Sequence, residues 1–414
     1  MKNKYVNGIL PMVLINFSIG SVYCWTLFKE DILQYAGFSK SVTEWCFSLA
    51  IFFLGMSAAF GGKIVEKDVK RSSLITFVTF TSGWIITGLG IQIKSPAVTV
   101  LGFGVIQGIG LGFGYITPVK TMMLWFDKVK GFAAGLSIAG FALAGVLANP
   151  LIAYLLETVP VYSVFYLLAG LYGVCLLVAY ALIYRPQIIE TGEELIKELK
   201  IKEILLSKKF ILLWLLFFIN IACGLALISQ EKQIYDVLGI SKDAFGALGR
   251  EPTDAIALVV LYCSVSAILN LLGRISMASL QDRLKQKHLP YYLMAVASLT
   301  VCFIAAFNSM LLPTTLLMIW FVQFFFGCGF SCMPNILHQH YGMKQLSTVQ
   351  GLSLSAWAMA GLAGNQFAMF MINNFGLSTL YACLGAFYTI ELALLVIWAR
   401  TSFPKREPAV PREA

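Results

Sequence analysis

Long apolar runs recur along the whole chain, and they limit what it can fold into. Leu10–Phe28, Val98–Val119 and Thr379–Trp398 each reach or approach the length of about 20 apolar residues that crosses the hydrocarbon core of a bilayer. Of all residues, 58% are hydrophobic and 12% are charged. That charged fraction is about half of what a soluble domain carries. The sequence therefore predicts a protein that folds within a membrane.

Glycine, proline and charged residues divide the apolar stretches into twelve predicted spans. The first is interpreted as a span and not as a cleaved signal, because it has full length and eleven comparable segments follow it. The predicted fold is an all-α membrane protein with twelve transmembrane helices. The spans lie at about 6–28, 43–62, 72–92, 97–120, 131–155, 160–183, 210–230, 255–280, 290–308, 312–336, 348–372 and 376–399.

Twelve spans bring both termini to one side of the membrane. Of the 30 lysines and arginines, 23 lie on that side and 6 on the other. Because cytoplasmic loops are rich in lysine and arginine, we expect both termini in the cytoplasm and the protein in the inner (plasma) membrane. The same bias accounts for the net charge of +9, so we expect no nucleic-acid partner.

Cysteine and histidine positions do not favour redox, metal or enzymatic chemistry. The nine cysteines lie in or beside apolar runs without the pair spacing of a metal site, and the three histidines fall at cytoplasmic ends of spans. No nucleophile stands with a base. We therefore expect no disulfide, no metal, no cofactor and no enzymatic activity, and we expect a monomer.

The second half of the chain repeats the first at one fixed offset, and we call residues related by it repeat mates. Residues 135–145 and 351–361 are identical at six of eleven positions. The same offset relates Gln107–Pro118 to Gln323–Pro334, and Glu66-Lys67 to Asp282-Arg283. We predict two six-helix bundles, 1–184 and 210–414, joined by a polar cytoplasmic linker, 185–209, that forms a surface amphipathic helix.

Two six-helix repeats around a central linker are the plan of the major facilitator fold. The loop Gly62-Lys-Ile-Val-Glu66-Lys67-Asp-Val-Lys70-Arg71 resembles the signature of that superfamily, with Glu66 in place of aspartate and Val69 in place of a glycine. The resemblance implies that an acid at a helix end holds a nearby cation as a latch for one conformer. We assign this latch to Glu66, Lys67, Asp282 and Arg283.

A more specific resemblance covers nearly the entire chain. Gly112-Phe-Gly-Tyr115-Ile-Thr-Pro118, then Trp125-Phe126 and Lys130-Gly131, are similar to the oxalate/formate antiporter family and its monocarboxylate-transporter relatives, and Tyr23-Cys-Trp25 also fits. This resemblance implies transport of a small organic anion. It also implies a binding cavity lined by Tyr23, Trp25, Tyr115, Phe141 and Trp357, of which Phe141 and Trp357 are repeat mates.

Arg274 is the cation that stands inside a predicted span. An arginine there costs roughly 2.5–3.5 kcal/mol on insertion scales, so it needs a partner or a wet cavity. A planar guanidinium binds a carboxylate through two parallel hydrogen bonds, and relatives carry a substrate-binding arginine at the matching place. Asn270, one turn earlier, is predicted to bind the arginine or the substrate. The alternative is that Arg274 extends to the cytoplasmic surface.

Substrate charge follows from a departure from the family. Oxalate-specific members resemble this chain but carry a lysine where Trp357 stands, so a second cation for a dianion is missing. We predict a monocarboxylate of the lactate, pyruvate or formate type, moved by proton symport or anion exchange. The open alternatives are an oxalate or dicarboxylate exchanger and a membrane nutrient sensor that does not transport. The candidate proton carriers are Glu30, Asp31, Glu251, Asp254 and Glu391.

Overall fold

The computed structural model describes residues 3–186, 199–240, 246, 248–249 and 251–402. Every regular element among these residues is helical. The first six long helices are α1 (Tyr5–Ala36), α2 (Lys40–Lys67), α3 (Val69–Gln92), α4 (Pro96–Trp125), α5 (Lys130–Thr158) and α6 (Val161–Leu182). The next four are α7 (Lys208–Val237), α8 (Pro252–Arg283), α9 (Leu289–Phe307) and α10 (Leu312–Tyr341).

The last long helical stretch, Leu346–Ser402, is two helices that meet at Gly376. Gly376 has φ of 81°, a left-handed conformation that glycine adopts at no steric cost and that ends the first helix. We call the two arms α11 (346–375) and α12 (377–402). The described part of the chain thus contains twelve long helices, which confirms the predicted fold class.

Polar and apolar surfaces are arranged as a bilayer requires. Large apolar side chains such as Phe60, Val174 and Phe307 stand on the outer surface, whereas Gln107, Asn220 and Arg274 are buried between helices. Ten stretches are long and apolar enough to cross a membrane by length and composition, and one of them contains both α11 and α12. Exposed apolar surface on this scale calls for lipid around the helices.

The two halves, α1–α6 and α7–α12, meet mainly along two helix pairs, α2 with α11 and α5 with α8, and α5 also contacts α10. A side chain at Gly135 of α5 would collide with the carbonyl oxygen of Arg274 in α8. A side chain at its repeat mate, Gly351 of α11, would collide with the carbonyl oxygen of Ala58 in α2. Since Ala58 and Arg274 are repeat mates as well, both pairs use one packing arrangement in which a glycine permits close backbone approach.

The start of α1 and the end of α12 lie at one end of the helices, where Trp398 contacts His340 at the end of α10, and we call this end the terminal face. There Asn7 donates a hydrogen bond from its side chain to Leu182 O, at the end of α6, over 2.7 Å. The connection between the halves contains a short helix, Ile201–Leu206. Residues 187–198 of the predicted linker fall outside the described residues. The division of the chain into two bundles at 184 and 210 remains a prediction.

Candidate functional site

Arg274 lies in α8 at the contact between the two halves. Its side chain is 2% exposed. Nε donates to Asn270 Oδ1, one turn earlier, over 2.9 Å, and Nη1 donates to the backbone oxygen of Ile138 in α5 over 3.0 Å. The guanidinium carbon lies 5.3 Å from the ring centre of Phe330 in α10. One side chain therefore joins both halves and does not extend to the terminal face.

The charge of Arg274 has no protein counter-ion in the described residues. The ion pairs found there join Lys29 to Glu44 and Lys120 to Glu66. A buried cation without a partner costs several kcal/mol. Its two hydrogen bonds use only part of the five N–H donors that a guanidinium offers. The arrangement suits an anion that enters and leaves.

Aromatic rings from both halves surround this position. Phe141 lies 5.4 Å from both Tyr23 and Tyr115 between ring centres, and 6.1 Å from Trp357. Trp357 lies 5.3 Å from Tyr115 and 4.7 Å from Phe330. These five rings, with Arg274, form what we call the central cluster. The structure therefore brings together four of the five predicted aromatics.

Two polar atoms of the central cluster are buried without a hydrogen-bond partner among the described residues. They are the hydroxyl of Tyr115 and Nε1 of Trp357. An unsatisfied buried polar group costs about 1–3 kcal/mol. Both atoms can donate a hydrogen bond. Beside a guanidinium with donors to spare, they would be satisfied by a small molecule that carries acceptor oxygens.

Glu66, at the terminal-face end of α2, bonds across the halves. Oε2 accepts hydrogen bonds from the backbone amides of Ser347 at 2.8 Å and Thr348 at 3.3 Å, in the first turn of α11. Oε1 forms an ion pair with Lys120 of α4. A carboxylate at a helix N-terminus is stabilised by the unpaired amides and by the helix dipole. We call this contact the first latch.

Asp282, the repeat mate of Glu66, makes the matching contact at the end of α8. Oδ1 accepts from the amide of Gly131 at 2.7 Å and Oδ2 from the amide of Phe132 at 2.8 Å, in the first turn of α5. Gly131 and Phe132 are the repeat mates of Ser347 and Thr348, so this second latch repeats the first. Both latches hold the halves together at the terminal face.

The cations predicted for the latches lie elsewhere. Lys67 and Arg283 are exposed and form no ion pair within the described part of the chain. The cation that pairs with Glu66 is Lys120 of α4. Lys120 is 2% exposed inside α4. The backbone amides of α5 and α11 supply the remaining contacts.

Trp25 lies apart from the central cluster. Its ring packs within the first half, 3.9 Å from Phe103 and 6.4 Å from Phe28 between ring centres. Nε1 donates to the backbone oxygen of Thr43 over 2.8 Å, and the side chain is fully buried. Its polar atom is satisfied, so the structure assigns Trp25 a packing role.

Comparison with known proteins agrees with this architecture. The family model of the Major Facilitator Superfamily matches residues 9–365. The chain belongs to the Major Facilitator Superfamily. It is therefore a multi-pass membrane transporter, and the latches and the central cluster are parts of a superfamily transporter.

Individual superfamily members are distant in sequence. The oxalate:formate antiporter of Oxalobacter formigenes is 23% identical over 408 residues, which cover 95% of this chain and 92% of that one. An uncharacterized transporter of Escherichia coli, YhjX, is 24% identical over 357 residues, with 83% and 82% covered. The E. coli fucose:proton symporter FucP has a similar structure, with a TM-score of 0.65, 13% identity, and 94% and 97% covered.

Sequence reasoning missed Phe330, whose ring stacks over the Arg274 guanidinium. Its repeat mate is Gly114, so the aromatic had no counterpart to draw attention to it. The sequence did offer one indication, because the next residue, Ser331, is the repeat mate of Tyr115, which was assigned to the binding cavity. Glu231 was missed because the seventh span was ended at 230, whereas α7 continues to Val237 and buries Glu231 to 6% exposure.

Proposed function

We propose that this superfamily transporter carries a small monocarboxylate of the lactate, pyruvate or formate type across the membrane by alternating access. The substrate carboxylate binds Arg274, and the rings of the central cluster enclose its short carbon skeleton. The observation that carries the proposal is the position of Arg274, a buried cation without a counter-ion, among the described residues, at the contact between the halves. Neutral sugars would leave that charge unpaired.

Arg274 can supply the geometry that a carboxylate needs. The Phe330 ring centre lies 5.3 Å from the guanidinium carbon, and Asn270 Oδ1 accepts a hydrogen bond from Nε. Both contacts restrict the side chain, so less entropy is lost when a carboxylate binds in the guanidinium plane. Tyr115 and Trp357 contribute the two unpaired donors described above. Tyr23 lies beside the guanidinium from α1.

Charge supports a substrate with one carboxylate. Trp357 occupies the position at which oxalate-specific relatives carry a lysine. Lys120, a buried lysine of this chain near the interface, is already paired with Glu66. A dianion at Arg274 would keep one uncompensated negative charge in an apolar surrounding, which costs several kcal/mol. A monoanion leaves the site neutral.

The latches suit a transporter that alternates between two shapes. Intact latches hold the terminal face closed, and the substrate would leave on that side only after Glu66 and Asp282 release α11 and α5. We propose that the terminal face is cytoplasmic, since it carries most of the lysines and arginines. The structure then represents the conformer that is closed toward the cytoplasm.

Uptake into proteoliposomes tests the substrate assignment. Arg274→Gln removes the cation, and we expect monocarboxylate counterflow to fall by about 30- to 5,000-fold, since removal of one partner of a buried charge pair costs about 2–5 kcal/mol. Arg274→Lys keeps the charge but loses one of two parallel hydrogen bonds, so we expect a fall of about 10- to 150-fold. Lactate, pyruvate, formate and oxalate form the panel.

The matched control is Arg400→Gln, an exposed arginine at the end of α12, which should leave counterflow unchanged. Equal counterflow in wild type and Arg274→Gln would exclude the carboxylate role of Arg274. Substrate binding without counterflow in the wild type would identify a sensor instead of a transporter.

A second candidate is exchange of oxalate or another dicarboxylate. The relative that matches 95% of this chain is an oxalate:formate antiporter, and this favours it. Strong oxalate counterflow with none for monocarboxylates would replace the first proposal by the second.

A further inference from the structure

A buried carboxyl group lies in the part of α7 toward the face opposite the terminal face. Glu231 is 6% exposed. Its Oε1 accepts hydrogen bonds from the hydroxyl of Tyr235, one turn further along α7, at 2.7 Å and from Oγ of Ser266 in α8 at 2.6 Å. This carboxyl group is held by neutral donors, away from Arg274 and both latches.

The groups around Glu231 provide no positive charge among the described residues. Its titratable neighbours are Tyr235 on its own helix and the Cys263 thiol on α8. On the α11 side, Gln230 donates to Asn365 Oδ1 over 2.6 Å, a neutral amide pair. No lysine or arginine of the described residues forms an ion pair with it. A buried carboxylate without a cation is costly, so binding of a proton stabilises the group in this conformer.

A row of buried polar side chains on α8 connects Glu231 to the central cluster. Ser266, Asn270 and Arg274 follow at intervals of four residues, so they lie on one face of the helix with a rise of about 6 Å between neighbours. Ser266 bonds Glu231, and Asn270 bonds Arg274. The two buried charges thus face the same side of α8 at positions about 12 Å apart along its axis.

We propose that Glu231 is the proton-binding residue of this transporter and that one proton travels with each monocarboxylate. The proposal rests on the function proposed above, which it makes specific. When neither a proton nor the substrate is bound, the charges of the Glu231 carboxylate and the Arg274 guanidinium sum to zero. When both are bound, the proton neutralises Glu231 and the substrate neutralises Arg274, so the sum is again zero. The cycle is electroneutral symport.

Two measurements in proteoliposomes distinguish proton coupling from substrate transport: pH-driven accumulation and counterflow. With the outside about one pH unit more acidic than the inside, the wild type should concentrate lactate up to about tenfold, because electroneutral symport follows the proton ratio. An imposed membrane potential should change nothing. Glu231→Gln keeps the size of the side chain and an oxygen acceptor for Tyr235 and Ser266 but cannot release a proton. It should lose accumulation and retain lactate counterflow to within about threefold, under about 1 kcal/mol.

The matched control is Glu391→Gln. Glu391 is a fully buried carboxyl group in α12 of the same half, beside the hydroxyl of Tyr291. It should keep pH-driven accumulation. A Glu391→Gln protein that loses accumulation while Glu231→Gln keeps it would move the proton site to α12 and overturn the proposal.

Three other results would also overturn it. In the first, lactate uptake by the wild type does not depend on the pH gradient. In the second, uptake by Glu231→Gln still depends on it. In the third, a monodisperse Glu231→Gln protein loses counterflow. The first result would not contradict the proposed carboxylate transport, which the Arg274 variants test separately. Should Glu231→Gln fail to fold, Glu231→Asp replaces it. Glu231→Asp should keep proton coupling with a shifted pH dependence of uptake, and an unshifted dependence would count against the proposal.

Discussion

The two latches lead to a prediction about conformational balance. Replacing both acids by amides, Glu66→Gln and Asp282→Asn, keeps the size of the side chains and removes both negative charges from the N-termini of α11 and α5. The ion pair between Glu66 and Lys120 is also lost. We expect the halves to separate at the terminal face in a larger fraction of molecules.

The magnitude follows from the contacts. Each carboxylate accepts two amide hydrogen bonds, at 2.8 and 3.3 Å in the first latch and at 2.7 and 2.8 Å in the second. A charged acceptor at a helix N-terminus contributes about 1–2 kcal/mol. Loss of both carboxylates therefore lowers the free energy that holds the terminal face closed by about 2–4 kcal/mol. This changes the equilibrium between the conformers by about 30- to 900-fold. The amides still accept weak hydrogen bonds, so these figures are upper bounds.

Pulsed electron–electron spin resonance measures the separation. Nitroxide labels would be attached to cysteines introduced at Lys63 of α2 and at Lys285 after α8, which are exposed and belong to different halves. Cys175, Cys263 and Cys383 are only partly buried and would be replaced by alanine in the background. The wild type should show one dominant distance, and the double variant should add a longer one.

Asp68→Asn is the matched control. Asp68 accepts hydrogen bonds from the amides of Lys70 at 2.9 Å and Arg71 at 3.1 Å, so it caps α3 with the same chemistry inside one half. Its removal should cost local stability and leave the distance distribution unchanged. Identical distributions for wild type and double variant would refute the latch reasoning, as would an equal change in Asp68→Asn.

Three further changes have defined outcomes. Trp357→Lys adds a second cation near Arg274, so oxalate should compete with lactate uptake at least about tenfold better than in the wild type. Gly135→Ala places a methyl group against the α8 backbone and should lower both uptake and the apparent melting temperature, whereas Gly170→Ala, with no atom within 4 Å of the added group, should raise stability by up to about 1 kcal/mol. Burial lowers the pKa of His288. The neutral, buried imidazole therefore contributes its full stability above the unfolded-state pKa of about 6.5, and this contribution is lost as the pH falls toward the lowered pKa of the folded state. His288→Gln should reduce the fall in melting temperature between about pH 7.5 and pH 5.

The aromatic residues show which spatial neighbours the sequence indicated and which it did not. Tyr115, Phe141 and Trp357 meet as predicted because each lies near the middle of a helix that faces the other half. Tyr23 and Trp25 were assigned to one cavity, but residues two apart on a helix do not share a face. The structure accordingly turns Tyr23 toward Phe141 and Trp25 toward Phe103.

The latches show a related limit. The repeat pairs Glu66 with Asp282, and the structure gives both acids the same task. The sequence pattern suggested the adjacent cations, Lys67 and Arg283, as their partners. A side chain at the end of a helix can reach backbone amides of another helix as well as a neighbouring lysine, and only the packing of α2 against α11 and of α8 against α5 decides between them.

The sequence by itself determined the twelve spans, the internal repeat and the presence of an arginine inside a span. These features depend on local hydrophobicity and on the cost of a charge in lipid, which each segment carries alone. The tertiary structure decided that Arg274 bonds the Ile138 carbonyl, 136 residues away, and that Glu66 bonds the Ser347 amide, 281 residues away. Such contacts arise only when separate helices pack, because no periodicity within one segment specifies its neighbour.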